Sequence, residues 1–248
     1  MKRLLLYPVL AAVAALIGGA VLDAETAPKF HRFLLVLSLL VTSFSAFLTS
    51  AKFSAGDRLL LSWLFIGAGY FLSAIRHGTR LYAYLDPSVA LPPVVSSTLV
   101  ILQNVFIALA LLLFVLAWRA TGLTGPLSKG TQTLSVVAGI AVAVLVGGYP
   151  LVKALTSEGA DPILLISTLG DIVGLSLIVP LALPALAMRG GLLMHTWIYL
   201  AASEVAWLLY DLWWALELGG AGVLEAFRLA AILLAFIASK AQRRAMRA

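Results

Sequence analysis

The sequence predicts an all-α protein, a polytopic integral membrane bundle of eight transmembrane helices, and three observations lead to this prediction. The 248 residues are 62% hydrophobic and only 11% charged, with a mean hydropathy of +1.05, whereas soluble domains carry about 25% charged residues. Long apolar stretches are separated by short connectors that contain the helix breakers Gly, Pro and Asp. The short alternating segments that are typical of transmembrane β-barrels do not occur in the sequence.

Eight apolar stretches give the number of helices. Most of them reach the length of about 20 residues that is needed to cross about 30 Å of hydrocarbon. They cover residues 4–22, 33–51, 58–77, 94–118, 133–155, 162–188, 194–217 and 222–240.

The first stretch has two interpretations. Its basic start, apolar middle and small residues Gly18 and Ala20 also fit a cleavable signal peptide. We favour a true first span; cleavage would leave seven spans with the N-terminus outside.

Polar side chains interrupt the third and fourth stretches. Arg76, His77 and Arg80 lie at the end of the third stretch, where arginines snorkel to lipid headgroups or line a vestibule of mixed charge. The fourth stretch carries Gln103 and Asn104 near its middle. At a rise of about 1.5 Å per residue, we expect both to lie at the depth of the acid in the sixth stretch.

Glycine and proline mark the fifth and sixth stretches. The Gly-Gly-Tyr-Pro segment at 147–150 predicts a break in the fifth helix, and Pro180 and Pro184 predict a bend in the inner half of the sixth. Gly170 and Gly174 are four residues apart, a spacing that favours the close approach of another helix.

The seventh stretch contains the most informative polar residues. Trp197, Glu204 and Asp211 recur every seven residues and therefore share one face, and Trp207 follows Glu204 by three. An ionised carboxylate in the middle of a bilayer costs about 2.5–3.5 kcal/mol or more. These acids, like Asp171 in the sixth stretch, must therefore pair, face a wet cavity or stay protonated, and we expect the stripe to face the bundle interior.

These placements predict a ligand-binding pocket that opens to the extracytoplasmic side. The alternative is that each acid only hydrogen-bonds to a neighbouring helix and fixes packing. The candidate ligand-binding residues are Asp171, Glu204, Asp211, Trp207, Asn104, His77 and Arg76.

Several function classes are disfavoured by what the sequence lacks. There is no cysteine, and the three histidines are spread along the chain, so we expect no metal site. The last stretch has no central lysine for a retinal Schiff base, and it carries Glu225 and Arg228 as an i, i+3 pair. No catalytic residue or cofactor motif is recognised, and the net charge of +6 reflects residues that flank spans rather than a nucleic-acid surface.

Most of the 17 lysines and arginines fall on one side if the N-terminus is placed inside. This distribution predicts that both termini are cytoplasmic and that the protein is a multi-pass protein of the cytoplasmic (inner) membrane. We expect a single transmembrane domain over residues 1–248. A parallel four-plus-four repeat, about 1–120 and 130–240, is suggested by an alignment that pairs Trp63 with Trp197, Tyr70 with Glu204 and His77 with Asp211.

Residues 170–214 resemble the last helices of the multi-span sensor modules that precede bacterial histidine kinases or diguanylate cyclases. The shared features are an Asp early in one helix, the basic turn Met-Arg-Gly-Gly, and the later Tyr-Asp-Leu-Trp-Trp. The resemblance implies a ligand-sensing membrane module that works through a protein partner. No catalytic domain follows residue 240, which departs from such proteins, and no site residue is carried over.

Four functions remain open at this point. We favour a membrane module that binds a small molecule from the extracytoplasmic side and acts through a partner in the membrane. The alternatives are a proton- or cation-coupled small-molecule transporter and an accessory subunit of a larger membrane complex. A lipid enzyme has the least support, because no nucleophile or electrophile accompanies the acids.

Overall fold

A computed structural model of the protein describes residues 2–121, 128–156, 162–188 and 190–247. Helices account for all regular structure in these residues, and they contain no strand, which confirms the all-α prediction. Short 3-10 turns precede α1 and α4, at Lys2–Leu5 and Pro87–Val89. The α-helices are α1 Leu6–Val21, α2 Thr26–Ser50, α3 Arg58–Tyr82, α4 Pro93–Ala120, α5 Lys129–Thr156, α6 Pro162–Ala187, α7 Met194–Ala215 and α8 Ala221–Ala245.

Helix boundaries depart from the apolar stretches mainly at polar ends. α2 begins at Thr26 rather than at residue 33, because Asp23 Oδ1 accepts hydrogen bonds from the backbone N–H groups of Glu25 and Thr26 at 2.9 and 2.7 Å. α3 continues beyond His77, and α8 continues beyond residue 240. Hydropathy alone misses these polar turns because they lie at the ends of the apolar segments.

The predicted break in the fifth helix is wrong. α5 is continuous through residues 147–150. α6 contains Pro180 and Pro184 within one helix, and the bend predicted there stays a prediction. Gly147 instead provides space for packing, because a Cβ atom there would lie 2.5 Å from Cγ1 of Ile172 on α6.

Six helices are long and apolar enough to cross a membrane: α2, α3, α4, α5, α6 and α8. α1 has only 16 residues. α7 has 22 residues but falls outside this set because Glu204, Asp211 and His195 make it less apolar. The composition and length of these helices indicate a helical membrane protein.

Six helices form a closed ring in which the neighbours in order are α2, α3, α4, α6, α7, α8 and again α2. α1 packs outside the ring, chiefly on α8, and α5 packs outside it, chiefly on α6. In a four-plus-four repeat, α1 to α4 would correspond to α5 to α8. This correspondence reproduces the neighbours within the ring, but it does not reproduce the main contacts of the outer helices α1 and α5. The four-plus-four repeat stays a prediction.

Aromatic residues fill the part of the ring nearest the start of α3 and α7. Phe114 of α4 packs edge-on against Trp63 at 5.1 Å and against Trp197 at 5.6 Å between ring centroids. Both indoles are buried. The face of α7 that carries Trp197 therefore points into the bundle, as the stripe predicted, although Trp214 at the other end of the helix is 44% exposed.

A polar seam joins α2 to α8. We use this name for Thr42, Ser45 and Thr49 of α2 with Ser239 and Arg243 of α8, all of them buried. Arg243 donates to the backbone carbonyl and hydroxyl of Ser45 and, at 3.1 Å, to Thr49 Oγ1. Thr42 Oγ1 donates to the carbonyl of Ile232 at 3.2 Å.

Candidate functional site

A cavity of about 90 Å³ lies between α3, α4, α6 and α7, inside the ring. We call it the acidic cavity, because two carboxylates lie in its wall and no lysine or arginine is among its described lining residues. The lining residues are Tyr70, Gln103, Asn104, Ile107, Ala108, Leu111, Gly170, Gly174, Glu204, Trp207, Tyr210 and Asp211.

Glu204 of α7 lies against the neighbouring helix α6 at the point where that helix has a glycine. A Cβ atom at Gly174 would lie 2.7 Å from Glu204 Oε2, which is too close for any side chain to fit without moving the carboxylate. The small residue on α6 therefore makes the room that the acid of α7 occupies. Of the two glycines of the predicted close approach, Gly174 makes room for a side chain rather than for another helix.

Asn104 brings α4 against the same face of α6. A Cβ atom at Gly170 would lie 3.1 Å from Cβ of Asn104, so the amide is level with the first glycine, as the depth argument predicted. The Nδ2 atom of Asn104 is buried and has no hydrogen-bond partner among the described residues. Buried amide donors in folded proteins are nearly always bonded, so this group adds binding capacity to the cavity.

Three aromatic residues complete the wall. The buried hydroxyl of Tyr70 is within hydrogen-bonding range of Trp207 and Ser203, and it interacts electrostatically with Glu204. Trp207 packs edge-on against Tyr210, with 5.8 Å between ring centroids. The cavity therefore combines carboxylates with aromatic rings, whose electron-rich faces attract cations.

The two carboxylates lie at different levels. Glu204 and Asp211 are two turns apart on α7, which corresponds to about 10 Å along the helix axis, and both are half-buried. The backbone of Asp171 lies in α6 between the two glycines. Its side chain is outside the described part of the structure, so its predicted role in the pocket stays a prediction.

The structure brings four predicted site residues, Asn104, Glu204, Trp207 and Asp211, to one cavity and leaves two outside its wall. Arg76 and His77 are absent from the described lining. Arg76 Nε instead donates to Ser96 Oγ at 3.1 Å, one turn or more beyond Tyr70 along α3. Both residues lie in the last two turns of α3, and their predicted role in ligand binding stays a prediction.

Three polar lining residues were not among the predicted site residues: Tyr70, Gln103 and Tyr210. A signal existed for each of them. Tyr70 is opposite Glu204 in the repeat alignment, Gln103 precedes Asn104, and Tyr210 follows Trp207 by three residues and so shares its face.

The size and chemistry of the cavity limit what it can hold. A water molecule needs about 10–15 Å³ of such volume, so 90 Å³ accommodates a few waters or a small ion. Drug-sized ligands occupy pockets of about 300–1,000 Å³. Among the described residues, no group of three His, Asp or Glu side chains is arranged to hold a metal ion.

No family model, curated protein or solved structure matches the chain. Its function must therefore be argued from the geometry of the cavity and the ring.

Proposed function

We propose that the chain is an integral membrane module that binds a small cation, such as ammonium or a short alkylamine, in the acidic cavity. It spans the membrane eight times with both termini in the cytoplasm, and it admits the ligand from the extracytoplasmic side. Binding of the ligand changes the module's interaction with a protein partner in the membrane, in the manner of the sensor modules that residues 170–214 resemble.

One observation carries this proposal: Glu204, Asp211, Asn104 and Tyr70, from three different helices, line a single cavity. Polar side chains that serve only as glue between membrane helices tend to bond to the adjacent helix. Convergence of carboxyl, amide and phenol groups on one small space is instead typical of a site that replaces the hydration shell of a ligand. Aromatic walls and negative charge both favour a cation.

Two features of the packing support the eight-span arrangement. α7 is long enough to span, and its acids lie on the cavity side rather than against lipid. α1 is short, at 16 residues, but it packs against α8, which is itself apolar enough to span. An even number of spans places both termini on the same side.

The test uses purified protein in a neutral detergent. We expect ammonium or methylammonium chloride to raise the unfolding temperature saturably, relative to choline chloride at equal ionic strength. The response should weaken roughly tenfold or more in apparent affinity in Glu204→Gln and in Asp211→Asn, since each removes a charged contact.

The matched control is Glu25→Gln, which removes an exposed carboxylate outside the cavity. Its response to ammonium should equal that of the wild type. An unchanged response in both cavity variants would refute the proposal.

A cation-coupled transporter is the second candidate, favoured by the two-turn spacing of Glu204 and Asp211 along one helix. Such a ladder allows a cation or proton to move between two carboxylates. Vesicles containing the protein should then show methylammonium flux that depends on a pH gradient. Binding without flux favours the sensing module, and flux abolished by Glu204→Gln favours the transporter.

A further inference from the structure

Four arginines and a histidine gather at the end of the bundle where α3 ends and α2, α4 and α8 begin. Arg76, His77 and Arg80 come from α3, Arg32 from α2 and Arg228 from α8. Arg76 and His77 each lie within electrostatic range of Arg32, Arg80 and Arg228. We call these five residues the arginine cluster.

Hydrogen bonds and aromatic rings hold the guanidinium groups in place. Arg76 Nε and Arg80 Nη2 both donate to the buried hydroxyl of Ser96 on α4, at 3.1 and 3.4 Å. Arg32 lies over the ring of Tyr84, with 5.6 Å from Cζ to the centroid. Convergence of two arginines on one hydroxyl leaves most of their N–H groups for other partners, since each guanidinium has five.

The charges in the cluster are not balanced by the ion pairs of the described residues. Glu225 pairs with Arg228 through Oε2 at 3.0 Å from Nε. The other two ion pairs in the described ranges are Lys29–Glu25 and Lys153–Glu217. Arg32, Arg76 and Arg80 are therefore held close together without a carboxylate partner among these residues, and their mutual repulsion favours a bound anion.

His77 provides a second, independent indication. The side chain is only 8% exposed, and its Nδ1 atom is buried with no hydrogen-bond partner among the described residues. A neutral imidazole can offer an N–H to an anion that the arginines attract. An accessible space adjoins the cluster, because Arg32 and Arg228 line a cavity of about 470 Å³, which Asp23 and Glu225 also line.

We propose that the arginine cluster is a binding site for a phosphate group. Guanidinium groups match the oxygens of a phosphate in paired hydrogen bonds, and the site is built by ring helices α2, α3 and α8 with Ser96 of α4 between them. Arginines at an extracytoplasmic helix end run against the positive-inside tendency, and a bound anion offsets that cost. The site is separate from the acidic cavity, although Tyr210 of that cavity lies 5.5 Å from Arg228 Cζ.

The phosphate can come from a lipid headgroup or from a free anion, and two experiments separate these sources. For the free anion, inorganic phosphate is titrated against the detergent-solubilised protein at constant ionic strength, and the unfolding temperature is followed. For the lipid, nanodiscs of phosphatidylglycerol are compared with nanodiscs of digalactosyldiacylglycerol, which has no phosphate. The lipid retained after extraction is measured by mass spectrometry.

We expect the wild type to respond in one of the two arms. Arg76→Gln with Arg80→Gln should weaken that response roughly tenfold or more, since two charged contacts are lost. Arg80→Gln alone should also weaken the response. Its charge-matched control is Arg119→Gln, which removes one exposed arginine in the last turn of α4, at the other end of that helix, and should respond like the wild type. If the double variant does not fold, Arg80→Gln alone carries the test.

Two results would overturn the proposal. One is the absence of a response of the wild type to both phosphate sources. The other is a variant response equal to that of Arg119→Gln, which would mean that the anion acts through overall charge.

Discussion

The polar seam between α2 and α8 and the acidic cavity between α3, α4, α6 and α7 are both polar regions inside an apolar bundle, yet they are built in opposite ways. In the seam, Arg243 donates to three acceptor oxygens of the facing helix, and the two helices pack closely around it. In the cavity, carboxylates and an amide face a space of about 90 Å³. The difference teaches that buried charge by itself does not mark a site; charge that faces open volume does.

The same contrast appears in the glycines. Gly222 of α8 allows backbone contact with α1, since a Cβ atom there would lie 2.9 Å from the carbonyl oxygen of Ala15. At Gly174 the nearest atom is the end of the Glu204 side chain, at 2.7 Å. One glycine lets two helices touch, and the other lets an acid enter the space between helices.

The largest effect on stability is expected from Arg243→Leu. The substitution removes charge-assisted hydrogen bonds at three atoms of α2, and we expect a loss of about 2–4 kcal/mol in the free energy of unfolding. Thermal or denaturant unfolding in detergent measures it. Arg247→Leu, at an exposed position after α8, should change stability little, and ammonium binding should survive in both. A stable Arg243→Leu protein would mean that the seam is not structural.

Gly174→Ala should separate binding from stability. The added methyl group meets the flexible end of Glu204 rather than backbone, so the helix can form and even gain from the better helix former. The carboxylate must move, and ammonium affinity should fall roughly tenfold.

Gly148→Ala is the control for this change. No atom lies within 4 Å of the added Cβ position in the described structure, so binding should be unaffected. Equal ammonium affinity in the two alanine variants would show that the position of Glu204 does not matter.

The smallest effect is expected from Thr42→Val, which removes one hydrogen bond from the seam to the carbonyl of Ile232. Hydrogen bonds between membrane helices contribute about 0.6 kcal/mol on average, and we expect a loss of that order in unfolding free energy. Ser97→Ala, which removes an exposed hydroxyl bonded within its own helix, should cost less. A loss comparable to that of Arg243→Leu would indicate that the seam acts as a single cooperative unit.

The helical membrane architecture was predictable because apolar length is a local property of the sequence. All eight predicted stretches contain a helix, and the errors lie at polar ends such as Thr26 and at the continuous α5. The stripe on α7 was also predictable, since helical periodicity places Trp197 and Glu204 on one face.

The order of helices around the ring could not be read from the sequence. That order decides that Asn104 and Glu204 meet at the glycines of α6, and that Arg76 binds Ser96 instead. Periodicity identifies which face of a helix is buried but not which neighbour covers it. Tyr210 was missed for this reason, since its value as a wall residue depends on its place beside the cavity.

The closure of the ring between α2 and α8 has a consequence for biosynthesis. A ribosome releases α2 before α8, so the hydroxyls of Thr42, Ser45 and Thr49 have no partner on α8 until the other seven helices have been made. Before α8 is present, the hydroxyl of Thr49 has an acceptor in its own helix, the carbonyl of Ser45. Folding in the lipid phase therefore ends with a late docking event, and a nascent chain stalled before residue 221 should expose α2 to membrane quality control.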